Sequence, residues 1–287
     1  MTWHGQINRT LWEIEALLEK DPKRFVLRRE LLRTHFLQRY EFDRNLHIPR
    51  DDRSFLFLQQ EPAAVCLLFH GGNGTPAEMR DLGNCLYAKG YTAYCPRFFR
   101  MDSKDRMVSW ESWLTYAQNA LQVSRRYSEE VYIIGLSIGG TLALILNKMH
   151  EVNAFVLLSP ALFPRYTMKE RAAEVGRRVA PTFFYRVAGW NGELAKAMEH
   201  AREHPAEVRA PMLVLQARDD KRLSTRGLKF LRRLAVHPMS QVRLLPFGSH
   251  ILTRGKAREE AFERISDFLQ AVQSQGNHRT GTGRRSS

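Results

Sequence analysis

The sequence predicts an α/β fold with a mainly parallel central sheet covered by helices on both faces. Seven short runs rich in apolar residues have the length of strands, and several suit strands buried on both faces. Helical stretches at 76–89, 110–127 and 139–150 alternate with these runs, as in parallel α/β sheets. The chain of 287 residues is long enough for one large domain or two small ones. The expected strands are 54–58, 63–69, 92–95, 131–134, 154–158, 212–215 and 242–245.

Residues 1–50 are expected to form a helical extension. Apolar residues fall in two helical windows, and Asp21-Pro22 between them can cap and begin the second helix. A helical hairpin packed on the main body is the favoured interpretation. An independent interaction module is the alternative, which the short length of the segment disfavours.

The remaining chain divides into a main body, an insertion within it and a C-terminal tail. Residues 51–273 form the body, and 164–209 within it show no clear strand but two or three helical stretches. Because ligands bind at the carboxyl ends of the strands in open α/β sheets, we expect this insertion to be a small lid. Residues 274–287 are rich in Gly, Ser, Thr and Arg and are predicted to be a disordered basic tail.

Charge and composition limit the expected binding partners and cellular compartment. The formal net charge is +14, and 211–287 contribute 15 Lys and Arg against 6 Asp and Glu. A solvated basic face is the favoured interpretation, with weak attraction to an anionic surface as the alternative. No nucleic-acid motif accompanies the charge, so no nucleic-acid partner is expected. Cys66, Cys85 and Cys95 form no CxxC pair, and no apolar run is long enough to span a bilayer, so a cytoplasmic protein without disulfides is predicted.

Ser137 is the candidate nucleophile. The segment 135–139 reads Gly-Leu-Ser-Ile-Gly and lies between an expected strand and an expected helix. In that context a Gly-x-Ser-x-Gly motif places the serine on a strained turn with its hydroxyl exposed. The helix N-terminus favours the negative charge that develops during attack on a carbonyl group.

A base and an orienting acid are expected after the serine in chain order. The strand 212–215 is followed by two neighbouring acids, Asp219 and Asp220, and the residues themselves leave the choice open. The strand 242–245 is followed by a loop that contains Gly248 and His250. His250 is therefore the candidate base.

Oxyanion stabilisation is predicted from two backbone positions. The run His70-Gly71-Gly72-Asn73-Gly74 follows the first central strand, and glycines allow backbone N–H groups to approach a ligand closely. The N–H of Ile138, directly after the nucleophile, is the expected second donor. His70 is expected to brace this loop through hydrogen bonds.

These motifs resemble the bacterial carboxylesterase and monoacylglycerol lipase branch of the α/β-hydrolases. The resemblance covers residues 54–270 and includes the Gly run at 70–76, the Ser137 motif, the Asp219-Asp220 loop and Gly248-Ser249-His250. It implies Asp220 as the acid and Gly72 as an oxyanion donor. The sequence departs from the family at 97–101, Arg-Phe-Phe-Arg-Met, where such enzymes commonly carry Gly-His-Gly. It also lacks the apolar-Pro pattern after Asp220.

Together these residues predict a serine hydrolase that cleaves carboxylic esters with Ser137, Asp220 and His250, without a metal or other cofactor. Aromatic residues of the lid suggest an apolar acyl or alcohol pocket, with a simple lid core as the equal alternative. They are Phe183, Phe184, Tyr185 and Trp190. An acyltransferase or thioesterase with the same three residues, and a binding protein that retains only the fold, are the rival interpretations. A third rival is a protein whose N-terminal hairpin and basic C-terminal region bind a partner or an anionic surface.

Overall fold

A computed structural model describes residues 3–72, 74–98, 108–165 and 192–281. The chain divides into two compact units, Met1–Ile133 and Ile134–Ser287, and the boundary falls inside the fourth strand. None of the helices within the described ranges is both long enough and apolar enough to span a membrane.

The helices and strands follow the order that the sequence predicts. The strands are β1 (Phe55–Phe57), β2 (Val65–Phe69), β3 (Thr92–Cys95), β4 (Val131–Leu136), β5 (Ala154–Leu158), β6 (Met212–Ala217) and β7 (Gln241–Leu245). The helices are α1 (Trp3–Lys20), α2 (Phe25–Asn45), α3 (Arg80–Ala88), α4 (Trp110–Tyr127), α5 (Ile138–Asn147), α6 (Gly192–Glu203), α7 (Arg226–Leu234) and α8 (Arg258–Gly281). Short 3-10 helices lie at Arg50–Asp52 and Pro76–Glu78.

The strands form one sheet in the order β1-β3-β2-β4-β5-β6-β7. β1 runs antiparallel to β3, whereas the pairs β2–β3, β5–β6 and β6–β7 are parallel. Every residue of β2, β4, β5 and β6 is buried, as expected for strands covered on both faces. β7 is an edge strand and is mostly exposed. The predicted fold class, a mainly parallel sheet with flanking helices, is confirmed.

In the first unit the N-terminal residues form a helical hairpin. Ile14 and Leu18 of α1 pack against Leu31 of α2, and Val123 of α4 joins the same apolar cluster. The turn at Asp21-Pro22 separates the two helices where the sequence predicts a break. The hairpin therefore shares its core with α4, as expected for an extension packed on the body.

A buried polar network fastens α2 to the ends of two strands in this unit. The Asp43 carboxylate accepts hydrogen bonds from the backbone N–H and the hydroxyl of Ser54, at 2.8 and 2.7 Å, and pairs with Arg97 Nε at 2.8 Å. Both charged side chains are almost fully buried. Arg39 Nη2 donates to the Arg97 carbonyl at 2.7 Å. A buried pair survives only when its hydrogen bonds are satisfied, so this network fixes α2 against the residues flanking β1 and β3.

In the second unit α5 is buried along its whole length apart from its last residue. α6 packs on α5, and α8 packs on β5 and β6; Ile265 and Leu269 of α8 are fully buried. α8 continues to Gly281, so the predicted disordered tail is wrong for residues 274–281. The helix continues because each added turn gains backbone hydrogen bonds, and the Ser274 hydroxyl also donates to the Gln270 carbonyl. Residues 282–287 of the predicted tail lie outside the described part.

Candidate active site

Ser137 occupies the turn between β4 and α5 with a strained backbone, φ 56° and ψ −118°. A non-glycine residue at positive φ is costly and persists only where the surroundings impose it. The neighbouring glycines explain how the turn closes. A Cβ on Gly135 would lie 2.5 Å from the backbone of Gly139 and Gly140, and one on Gly140 would lie 3.0 Å from Pro160 Cβ. Backbone contact thus requires glycine at position 135, and Pro160 crowds any side chain at position 140.

Hydrogen bonds hold the turn in place on both sides of Ser137. Its N–H donates to the Leu158 carbonyl at the end of β5, at 2.8 Å. Its own carbonyl accepts from the N–H groups of Gly140 and Ala161, each at 3.0 Å. The strained conformation is therefore supported by the sheet and by the segment after β5, and the hydroxyl keeps a fixed position.

His250 reaches the serine from the loop after β7. Its Nε2 lies 2.9 Å from Ser137 Oγ, and its side chain is 12% exposed. Gly248, two residues earlier, has φ 133°, and a Cβ there would lie 2.8 Å from Ala257 Cβ. Only glycine avoids both the strain and the clash, so Gly248 sets the path that brings the imidazole to the serine.

Asp220 holds the other side of the imidazole. Its Oδ2 lies 3.0 Å from His250 Nδ1, and its Oδ1 accepts from the N–H groups of Arg222 and Leu223 at 2.8 and 3.1 Å. Burial raises the pKa of this carboxyl, but the hydrogen bond from His250, the proximity of that ring and the two backbone donors outweigh burial and lower it. Asp220 is 1% exposed, whereas the neighbouring Asp219 is exposed to solvent.

The three side chains form a line of hydrogen bonds that can activate the serine. An ionised Asp220 accepts only, so it fixes the imidazole tautomer with a hydrogen on Nδ1. Nε2 is then an acceptor placed to take the proton of the Ser137 hydroxyl. A serine with such a partner is a nucleophile for acyl groups.

The turn after β2 is braced by a neutral histidine. His70 is fully buried, its Nδ1 lies 2.9 Å from the Gly71 carbonyl, and its Nε2 accepts from the Phe98 N–H at 3.2 Å. These partners require a hydrogen on Nδ1 and none on Nε2. Burial lowers the pKa of His70 to about 3, against the effect of the Gly71 hydrogen bond. His70 therefore has the bracing contacts that the sequence suggests.

The predicted oxyanion donors are Gly72 and Ile138. Gly72 lies in the partly exposed turn after β2, in the first unit. Ile138 is the first residue of α5 in the second unit. Its N–H is therefore one of the backbone donors at the start of a helix that have no helical carbonyl four residues earlier to bind. Their joint role as oxyanion donors stays a prediction.

Residues 97–101 depart from the Gly-His-Gly pattern, and the structure shows what the first two of them, Arg97 and Phe98, contact. Arg97 is 4% exposed and its charge is neutralised by Asp43, so this arginine does not make the loop basic. The Phe98 ring packs edge-on against Phe69, with centroids 4.9 Å apart, and stacks on His70. The sequence offers no signal for the Asp43–Arg97 pair, because its members are 54 positions apart.

Part of the predicted lid can be located. The start of the predicted lid and the residue before it are bound to the segment around Asp220, since Arg165 Nη1 donates to the Asp220 carbonyl at 2.9 Å and Ser224 N–H donates to the Phe163 carbonyl at 2.8 Å. The predicted lid aromatics Phe183, Phe184, Tyr185 and Trp190 lie outside the described residues. In the described ranges, His, Cys, Asp and Glu side chains nowhere form a group of three that could hold a metal ion.

Solved structures share this architecture. The chain matches a structure of the metagenome-derived lipolytic enzymes LipS and LipT with a TM-score of 0.65 and 17% identity, over 77% of this chain and 98% of that one. It matches Paleococcus ferrophilus monoacylglycerol lipase with a TM-score of 0.60 and 17% identity, over 76% and 98%. The chain therefore has the fold of these α/β-hydrolases.

Sequence comparisons find two relatives whose names are those of ester-cleaving enzymes. It is 22% identical to a carboxylesterase of Bacillus subtilis (strain 168) over 229 residues, 72% of this chain and 92% of the relative. It is 30% identical to a thermostable monoacylglycerol lipase of Bacillus sp. (strain H-257) over 98 residues, 33% of this chain and 38% of the relative. Residues 105–235 also match the model of a family described as "Uncharacterised protein family (UPF0227)".

Proposed function

We propose that this α/β-hydrolase cleaves carboxylic esters through an acyl-enzyme on Ser137. The observation that carries the proposal is the hydrogen-bonded series Ser137 Oγ–His250 Nε2–Asp220, with contacts of 2.9 and 3.0 Å. The names of the curated relatives, a carboxylesterase and a monoacylglycerol lipase, support an ester as the substrate.

The reaction follows from which atoms hold protons. Ser137 Oγ attacks the ester carbonyl carbon while its proton passes to His250 Nε2, and Asp220 stabilises the imidazolium that forms. The tetrahedral intermediate collapses with cleavage of the carbon–oxygen bond, and the leaving alcohol takes the proton from Nε2. Water then attacks the acyl-enzyme with the same proton transfers and releases the acid and free Ser137.

Charge on the intermediate requires hydrogen-bond donors. The N–H of Ile138 is adjacent to the nucleophile, at the positive end of the α5 dipole, where negative charge is favoured. Gly72 is the proposed second donor, on the basis of the sequence motif. An apolar acyl or alcohol group is the proposed substrate feature, on the basis of the lid composition.

Hydrolysis of short p-nitrophenyl esters by Ser137→Ala tests the proposal. We expect kcat to fall by about five to six orders of magnitude, since residues that act as one unit lose nearly all chemistry together. Ser159→Ala is the matched control, because Ser159 also follows a strand, is buried and has positive φ. The control should keep most of the activity. Equal activity of Ser137→Ala and the wild-type protein would refute the proposal.

A further inference from the structure

Residues 221–258 in the second unit form a surface of a single charge sign. This stretch contains ten Lys and Arg and no Asp or Glu. Each of the ten is exposed. We call this the basic surface, and its members are Lys221, Arg222, Arg226, Lys229, Arg232, Arg233, Arg243, Arg254, Lys256 and Arg258.

The helix α7 carries four of the ten cations of the basic surface. Its buried face carries Leu228 and Leu231. Arg226, Lys229 and Arg233 follow at intervals of three and four, so they share the opposite face of the helix. The packing of α7 in the unit therefore points three cations outward together.

These three cations are not neutralised inside the unit. Arg226, Lys229 and Arg233 form no salt bridge with any carboxylate in the part of the chain that the structure describes. Two carboxylates of the second unit, one before and one after this stretch, pair with other arginines: Glu207 lies 4.0 Å from Arg209, and Glu260 lies 2.9 Å from Arg264. The positive potential of α7 therefore reaches solvent.

Exposed apolar side chains are interleaved with the charges. Val236 after α7, Leu244 on β7 and Phe247 after β7 are 47, 37 and 45% exposed. α7 and β7 are neighbours, since Arg232 Nη2 donates to the Val242 carbonyl at 3.4 Å. Cations and apolar groups on one small surface match the interfacial region of a bilayer, where anionic headgroups lie above hydrocarbon. A nucleic acid backbone would use the cations but offers little to isolated aliphatic side chains.

We propose that the basic surface docks the protein on an anionic lipid bilayer. Phe247 lies three residues before His250 in the same loop, so docking would bring the candidate active site to the lipid surface. This last consequence rests on the proposed function. Lipid binding itself does not, because it requires no catalysis.

Cosedimentation of the full chain with vesicles tests the proposal. We expect binding to phosphatidylcholine vesicles that contain phosphatidylglycerol, with much weaker binding to phosphatidylcholine alone and progressive loss as salt rises. The triple variant Arg226→Gln, Lys229→Gln, Arg233→Gln should bind about a hundredfold more weakly. The matched control removes three exposed arginines of the first unit, Arg9→Gln, Arg33→Gln and Arg126→Gln, and should bind as the wild type does.

A second pair of substitutions separates lipid from nucleic acid. Val236→Ser with Phe247→Ser should weaken vesicle binding about tenfold, because less apolar surface enters the bilayer, and should leave the net charge unchanged. Three results would overturn the proposal: equal loss in the two triple variants, equal binding to neutral vesicles, or an apolar pair without effect alongside tight binding of a DNA oligonucleotide. Since binding is measured directly, Ser137→Ala serves as a further control and should bind fully even if the proposed activity is absent.

Discussion

Two loops of this protein each carry a histidine after a strand and within two residues of a glycine, yet the histidines have opposite environments. His70, after β2, is fully buried, and its ring nitrogens contact backbone groups of Gly71 and Phe98. His250, after β7, is 12% exposed and lies between a serine hydroxyl and a carboxylate. The comparison teaches that partners and burial, rather than the strand-end position, decide whether a histidine can carry protons.

The largest expected effect on kcat comes from replacing His250, the proposed proton acceptor in the loop after β7. His250→Gln should lower kcat for p-nitrophenyl esters by about five to six orders of magnitude, because no group remains to accept the Ser137 proton. Steady-state kinetics measures this. His204→Gln, at an exposed position on the C-terminal side of α6, is the control and should retain activity. If His250→Gln lost less than tenfold in kcat, His250 would not be the proton acceptor for Ser137.

A smaller loss is expected when the partner of that histidine changes. Asp220→Asn keeps the shape of the side chain but removes the charge that fixes the imidazole tautomer, so kcat should fall about 10⁴-fold. Asp219→Asn is the matched control, since this neighbour is exposed. Both variants are measured with the same esters. If Asp219→Asn were the more damaged variant, the assignment of Asp220 would be wrong.

For the buried histidine we expect a structural effect instead. His70→Ala leaves the Gly71 carbonyl and the Phe98 N–H without partners, so the free energy of unfolding should fall by about 2–4 kcal/mol. Urea denaturation measures it. The pH dependence of kcat/KM in the surviving fraction should match that of the wild type, and His70→Gln should recover part of the stability. A shifted pH profile would show that His70 exchanges protons during turnover.

The smallest effect concerns stability against pH. Burial lowers the pKa of His70 to about 3 and that of His35, where Arg39 also contributes, to about 4. Above the unfolded value of about 6.5 neither state binds the proton. Below about pH 6.5 these two histidines bind protons in the unfolded chain but not in the folded chain. The free energy of unfolding therefore falls as pH drops from about 6.5 toward 4.

The slope of the free energy of unfolding against pH tests this prediction. Each histidine should contribute about 1 kcal/mol per pH unit in that window. Denaturation curves of the wild type and of His35→Gln, taken between pH 7 and pH 4.5, should differ by that contribution. Parallel pH dependences for the two proteins would contradict the expected neutral state of buried His35.

Sequence patterns predicted both the order of the strands along the chain and the candidate site residues. One physical reason explains both. Apolar runs mark strands, and Ser137, Asp220 and His250 lie one, three and five residues after the ends of β4, β6 and β7, so local pattern and candidate function coincide. The choice of Asp220 over Asp219 needed the resemblance to a family. In the structure, burial and the two backbone donors at Asp220 distinguish the neighbours.

Other features had no local signal. The Asp43–Arg97 pair joins residues far apart in sequence, and a charged residue in a helix pattern ordinarily indicates a solvated face. Arg97 adds a formal positive charge to its loop, but this charge is neutralised internally by Asp43. The tail composition predicted disorder from residue 274, but composition does not show that a preceding helix will extend into it.

The central claim is that Ser137 forms a covalent bond with the substrate carbonyl because His250 accepts its proton. Treatment with a fluorophosphonate tests it most directly, because phosphorylation of the serine oxygen expels fluoride and leaves a stable adduct. Intact-mass and peptide-mass measurements should show one adduct per chain, on Ser137, absent in Ser137→Ala and formed much more slowly in His250→Gln. An adduct that persists in Ser137→Ala, or forms at the same rate without His250, would contradict this account.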